Sequence, residues 1–178
     1  MKDDKVKKLV FSALFAALCC AATSFIKIPT ALGYMNAGDA VVLLGAFLLG
    51  PGWGALAAGL GSALADILAG YAMYAPGTLI IKALMALAAG LLLHKLGVKK
   101  PVAASILAGV AAELIMIAGY FVYECFVLGY GLASLGSIPT NALQAVFGIA
   151  AGSALFLALS RTDYVRRSLG TSEGDRRG

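Results

Sequence analysis

The chain has 178 residues, 61% of them hydrophobic and 13% charged, with a formal net charge of +5 and a mean hydropathy of +0.90. Soluble globular domains average near half apolar and about a quarter charged, so a water-facing exterior is excluded and the outside of this protein is expected to meet lipid. The length suits one domain, and 22 glycines among many alanines suit helices that pack closely within a bilayer.

A basic N-terminus (Lys2, Lys5, Lys7, Lys8) leads into the first predicted span, from about Val6 to Ile26. This run outlasts a signal-peptide core and continues into further spans, so no cleavable leader is expected. Ala13, Ala17 and Ala21 recur in it at four-residue spacing, a stripe of small side chains on one helix face. The next segment, from Lys27 to Gly38, holds Pro29, Gly33 and Asn36 and is non-helical in character.

The second predicted span, about Asp39 to Gly50, is short: about 12 residues reach about 18 Å, against a hydrocarbon core of about 30 Å. Irregular backbone at membrane depth is tolerated only where protein buries it or a cavity adjoins it. The segment before this helix is therefore expected to dip inward and close the top of a pocket. A Gly50-Pro51-Gly52 turn opens the third span, about Trp53 to Gly70, whose Gly54, Ala58 and Ser62 suit close packing. The fourth covers about Gly77 to Leu96 and ends in a basic turn (Lys95, Lys99, Lys100). The fifth runs from about Pro101 to Leu128, and the sixth, with Gly148 and Gly152, from about Pro139 to Ser160.

These readings give an all-α integral membrane protein of six transmembrane helices over residues 1–160. A polar tail over residues 161–178 carries Arg161, Arg166, Arg167, Arg176 and Arg177 and is expected to be disordered. An even number of spans puts both termini and the basic turn on one side. That side is cytoplasmic by the positive-inside rule. Orientation thus accounts for the net charge without nucleic acid. Cys19, Cys20 and Cys125 lack metal-ligand spacing and read as small packing residues.

Ionisable groups inside spans are costly and point to function by default. Asp39 opens the second helix, where a carboxylate can cap free N–H groups. Asp66 and Lys82 lie at similar depth, about 6–9 Å below the helix ends, and either pair with each other or face a polar ligand. Glu113, about 18 Å from the cytoplasmic start of the fifth helix, shares a helix face with Tyr120 and Glu124. Asn141 and Gln144 enter with the sixth helix, as a core hydrogen-bond network or as part of a chamber. Lys82, Tyr120, Asn141, Gln144 and the loop around Asn36 all fall in the outer half of the bilayer, where they form a chamber opening outward. Tyr34, Tyr71, Tyr74, Tyr123 and Tyr130 read mainly as an interfacial aromatic belt, with one or two free to stack on a flat heterocycle.

Catalytic patterns are missing. The one histidine, His94, lies far along the chain from the acidic groups, Ser62 has no histidine partner at its depth, and no phosphate-binding loop occurs. No enzyme activity, cofactor or metal is expected, and active transport would draw on other subunits or an ion gradient. A lone ion-coupled transporter would show two halves with matching broken helices, and no such symmetry is visible. A purely structural subunit would not need an outer polar chamber.

The runs Asn36-Ala-Gly-Asp39-Ala-Val-Val, Leu49-Gly-Pro-Gly-Trp-Gly54 and Gly61-Ser-Ala-Leu-Ala-Asp66 resemble the substrate-binding S components of energy-coupling factor (ECF) transporters. So do Tyr74-Ala-Pro-Gly-Thr-Leu-Ile-Ile-Lys82, Gly119-Tyr-Phe-Val-Tyr-Glu124 and Ile138-Pro-Thr-Asn141 followed by Gln144. The resemblance covers nearly all of residues 5–160 and points to the branch carrying riboflavin, pyridoxine and the hydroxymethylpyrimidine precursor of thiamin. It implies six helices in a prokaryotic cell membrane, a vitamin bound near the outer face, and an inward loop after the first helix acting as a lid. It further implies that Ala13, Ala17 and Ala21 dock on a transmembrane T component, with two ATPase subunits powering transport by toppling the loaded subunit. The expected ligand contacts are Asn36, Asp39, Asp66, Lys82, Glu113, Tyr120, Glu124, Asn141 and Gln144. This small polar set of mixed sign favours a compact pyrimidine- or pyridine-type heterocycle over riboflavin. A charged ligand such as pantothenate would instead use Lys82.

Overall fold

The computed structural model of the protein describes residues 2–96 and 101–162. Helix α1 (Lys2–Phe25) is followed by two short antiparallel strands, β1 (Lys27–Thr30) and β2 (Gly33–Asn36). Then come α2 (Gly38–Leu49), α3 (Pro51–Leu68), α4 (Ala75–Leu96), α5 (Pro101–Val122) and α6 (Ile138–Leu159). A π-helical turn, Tyr123–Val127, ends α5, and a 3-10 stretch, Gly131–Ser137, leads into α6. Lys99 and Lys100, and all of the expected tail from residue 163 onward, lie outside the described residues.

Among the described residues, four stretches are long and apolar enough to cross a membrane: Lys5–Phe25, Ala75–Leu96, Pro101–Val127 and Gly131–Leu159. The expectation of six spans is narrowed accordingly. Six helices are present, but α2 has only 12 residues, and α3 dilutes its apolar positions with glycines and Asp66.

Helix α2 is the hub. Helices α1, α3, α4, α5 and α6 pack in that order around it, each on the next, while α2 touches α1, α3, α4 and α6. Nine of its 12 residues are buried, including Val42, Leu43, Ala46 and Phe47. They meet Phe15 and Cys19 of α1, Ala57 and Ala58 of α3, Met85, Ala86 and Ala89 of α4, and Phe156 of α6 in one core. A short helix suffices because its neighbours, rather than lipid, surround it. The exterior carries Leu9, Val10, Leu14, Leu56, Leu60, Leu84, Leu107 and Val146, all exposed, as a lipid-facing shell would.

Backbones approach closely where the sequence is glycine. A Cβ at Gly54 would sit 2.7 Å from the Ala46 Cα, and one at Gly90 would sit 2.8 Å from the Pro51 Cα. Gly148 and Gly152 of α6 face Asp39 and Leu43 of α2, so the small residues of α3 and α6 serve packing within the subunit. The sharp α2–α3 corner needs Gly50 for another reason: its φ of 81° lies in the left-handed region open to glycine, and Pro51 then starts α3 with a ready helical φ. The α1 stripe differs from these. Ala13 and Ala17 are exposed and Ala21 is partly so, while Ser12, Phe15, Cys19 and Thr23 turn inward.

At Gly59 an added Cβ would lie 2.7 Å from the Leu79 carbonyl oxygen. Gly59→Val is therefore expected to lower stability by about 1–3 kcal/mol through overpacking, whereas Leu60→Val on the exposed face leaves it near wild type. Thermal denaturation of both variants in one detergent checks the difference.

Candidate functional site

The segment between α1 and α2 is non-helical, as its composition requires, yet it is ordered as a hairpin. Its register pairs Lys27 with Asn36, Ile28 with Met35, Pro29 with Tyr34 and Thr30 with Gly33. Antiparallel pairs alternate between hydrogen-bonded and non-hydrogen-bonded, and the Ala37 N–H bonds the Ile26 carbonyl at 3.0 Å. Counting back from there, Asn36 and Tyr34 fall at non-hydrogen-bonded positions. Pro29, which has no N–H to offer, is thereby accommodated, and the Asn36 N–H points away from β1.

This hairpin roofs a cavity of about 400 Å³, counting the open space at its mouth. Its walls are the end of α3 (Asp66), the following turn (Tyr71, Tyr74), the start of α4 (Thr78), the end of α5 (Tyr120), the π-helical turn (Glu124) and the start of α6 (Asn141, Gln144). Leu32, Gly33, Tyr34 and Asn36 contribute from the roof.

Two anchors hold the roof, one at each side. The Tyr34 hydroxyl donates to Asp66 Oδ1 at 2.5 Å. Burial, reinforced by that bond, raises the Tyr34 phenol well above its ordinary range, so it remains a donor. On the other side the Asn36 N–H donates to Gln144 Oε1 at 2.7 Å. The Asn36 side chain meanwhile accepts from the Gly38 N–H at 2.8 Å, fixing the junction of hairpin and α2.

Aromatic rings continue the roof into the wall. Tyr34 and Tyr71 have centroids 4.9 Å apart, Tyr71 and Tyr74 6.3 Å, and Tyr74 and Tyr123 6.4 Å. The Lys27 ammonium lies 5.6 Å from the Tyr34 ring centroid, on the outer side. The belt reading of the tyrosines thus needs correcting for three of them, because Tyr34, Tyr71 and Tyr74 line the cavity. The inward dip of the segment holding Tyr34 was expected, whereas that of the turn holding Tyr71 and Tyr74 was not.

Glu124 is presented by the π-helical turn, a local widening of the helix that recurs at functional sites. It is 2% exposed, accepts from the Ser137 hydroxyl at 2.5 Å and from the Tyr74 hydroxyl at 3.4 Å, and still lines the cavity. Tyr120 and Thr78 share a hydrogen bond of 2.9 Å between their hydroxyls. Neither Thr78, the roof residue Leu32, nor the 3-10 segment carrying Ser137 was singled out from sequence, and Gly33 was read only as a breaker.

Lys82 pairs with Asp39, not with Asp66. The Asp39 carboxylate turns away from the end of its own helix, whose N-cap is Ala37 with no side-chain cap; both the capping role and the Asp66–Lys82 pair are corrected. Gln144 Nε2 donates to Asp39 Oδ2 at 2.6 Å, and the Lys82 ammonium also stands 5.5 Å from the Tyr120 ring centroid. Glu113 lies one layer deeper, against Gly148 and near Asp39, with both carboxylate oxygens buried and without a hydrogen-bond partner. Of the nine expected contacts, Asn36, Asp66, Tyr120, Glu124, Asn141 and Gln144 line the cavity, whereas Asp39, Lys82 and Glu113 form a buried layer of ionisable groups behind it. One acceptor at the cavity is open: Asp66 Oδ2 is buried with no partner.

Comparison with known proteins agrees with this architecture. A family model described as "ECF-type riboflavin transporter, S component" matches residues 3–161. An uncharacterised protein of Pyrococcus woesei, described as lying in a gap 3′ region, is 34% identical over 137 residues, 76% of this chain and 88% of that protein. Among solved structures, the S-component for biotin from an ECF-type ABC transporter superposes with a TM-score of 0.60 at 17% identity. That match covers 87% of this chain and 93% of the other and shows a common fold.

Lys82→Met is expected to destabilise the protein by about 3–5 kcal/mol, because it leaves the Asp39 carboxylate buried and unpaired. Adding Asp39→Asn removes that charge and keeps an oxygen for Gln144, so the double variant should unfold later than Lys82→Met alone. Unfolding midpoints of the two proteins in the same detergent decide it.

Proposed function

Because this chain belongs to the family of ECF-type riboflavin transporter S components, a family of non-catalytic, vitamin-specific transport subunits, we propose that its roofed cavity captures a B-vitamin or vitamin precursor at the outer face of the membrane. In this reading all six helices sit in the bilayer with both termini cytoplasmic, and the hairpin is the outer lid. Lys5, Lys7, Lys8 and Lys95 flank the ends opposite the hairpin along α1 and α4, in keeping with the positive-inside rule. The loaded subunit delivers its ligand through a complex with a T component and two ATPase subunits. Ala13, Ala17 and Ala21 dock on the T component. Exposure of Ala13 and Ala17 supports this, since a stripe used for packing inside the subunit would be covered.

The observation that carries the capture reading is the unmatched acceptor, Asp66 Oδ2, beside a wall of tyrosine rings. A buried acceptor without a donor is costly, and a ligand N–H or O–H lying flat against the rings would satisfy it. The ligand class follows from the lining. Four tyrosine rings beside two acidic side chains in one lining favour a compact flat heterocycle of the pyrimidine or pyridine type. Of the two acidic groups in the lining, Glu124 is met by Ser137 and Tyr74, and Asp66 Oδ2 is the one that asks for a donor. Lys82, the cation that an anionic ligand such as pantothenate would need, is held by Asp39 and does not line the cavity. Riboflavin is the second reading, favoured by the description of the matching family.

Mass spectrometry of small molecules released from the purified subunit, followed by titration with pyridoxine, hydroxymethylpyrimidine and riboflavin, tests the proposal. One of them should bind stoichiometrically, and Asp66→Asn should weaken it by about tenfold or more, which is about 1.4 kcal/mol. A folded protein that binds none of these would sink the capture reading. Ala13→Leu and Ala17→Leu should keep ligand binding but abolish uptake and association with the T component. Loss of binding in those variants would show that the stripe belongs to the subunit's own core.

A further inference from the structure

The lid's two anchors differ in kind. Tyr34–Asp66 is a contact between side chains at the cavity surface, whereas Asn36–Gln144 continues inward. Gln144 is 3% exposed and spends both ends of its amide on the protein. Its oxygen accepts the Asn36 N–H at 2.7 Å, and its nitrogen donates to Asp39 Oδ2 at 2.6 Å. The other Asp39 oxygen is bound by Lys82. Hairpin, α6, α2 and α4 are thereby joined by one unbroken series of polar contacts.

The hairpin's register turns one backbone group toward this series rather than into the ladder. Asn36 stands at a position whose N–H faces away from β1, and Gln144 Oε1 is the acceptor it meets. Lifting the lid takes from Gln144 Oε1 the donor it holds in the closed structure. Gln144 in turn is oriented by Asp39, and Asp39 is fixed by Lys82. The amide can face the lid correctly only while the charged pair holds it.

We propose that Gln144 is a positioning residue that latches the β1–β2 hairpin to the buried Asp39–Lys82 pair, so that the pair sets how long the lid stays closed over a bound ligand. The assignment rests on the capture reading for its consequence, but the latch itself belongs to the empty protein. Asp39 and Lys82 then act on the ligand through the lid and not by touching it, which agrees with their places behind the cavity lining.

Hydrogen exchange resolved to single amides, run on the purified protein without any vitamin, tests the latch. In wild type the Asn36 amide should be protected to the same degree as the Met35 amide of the hairpin ladder. In Gln144→Met, which keeps length and removes both polar ends, Asn36 exchange should rise by about tenfold or more, and by clearly more than that of Ile28 and Met35, which keep their ladder partners. With whichever vitamin binds, the same variant should release it about tenfold faster at an unreduced association rate. An Asn36 amide that already exchanges freely in wild type overturns the latch, and so does one whose exchange in Gln144→Met is unchanged while binding weakens; the second result would make Gln144 a direct ligand contact. Should Gln144→Met fail to fold, the wild-type Asn36 amide still decides. A vitamin-free protein gives the exchange result in every case, so failure of the latch is distinguishable from failure of the capture reading.

Discussion

Asp39 and Lys82 carry opposite charges on different helices in the most enclosed part of the bundle, and neither can remain there without the other. Much of the arrangement near the cavity answers to that requirement. Helix α2 must be short and central, so that its first turn delivers Asp39 to the interior while the hairpin fills the space above. Helix α4 must present Lys82 at the same level, and α6 must approach closely enough for Gln144 to reach the second carboxylate oxygen. Gly148 makes the last approach possible, because a side chain there would collide with Glu113 and Asp39. The charged layer therefore fixes the relative heights of three helices, and those heights place the cavity walls.

Above this layer the chemistry changes from charge pairing to recognition. Tyr34, Tyr71, Tyr74 and Tyr120 supply flat apolar faces with polar tips, and most of those tips are occupied by Asp66, Glu124 or Thr78. What is left at the cavity is the Asp66 Oδ2 acceptor and the amide of Asn141. The fold it shares with a biotin S-component at 17% identity is a scaffold on which a different lining can be built.

Much of this was legible in the sequence because membrane burial makes polar residues conspicuous. The short second helix, the non-helical segment before it and six of the cavity residues followed from run lengths, breakers and depth. Partner choice did not follow. Rise per residue gives the height of Asp66 and Lys82 on their helices but not the direction each faces around the helix axis, so equal depth suggested a pair that does not form. Asp39 was placed correctly at a helix start, where capping is the common role of a carboxylate; only the packing of α4 and α6 reveals that it turns inward. The strands were hidden because Pro29 and Gly33 read as breakers, and a proline is compatible with a strand only at a position that needs no donor. Tyr71 and Tyr74 looked interfacial since nothing local to them specifies an inward turn.

The hairpin carries one more consequence. Two strands of four residues each are marginal on their own in water, and here they are held in shape by what they rest on. If the hairpin is the lid of the proposed reading, it does not swing as a stiff flap about a hinge. Leaving the cavity would also melt it, so the open form is a disordered loop that gains chain entropy. Warming then favours opening more steeply than the strength of two hydrogen bonds would suggest, and residence time becomes a property of a local folding equilibrium rather than of ligand contacts alone.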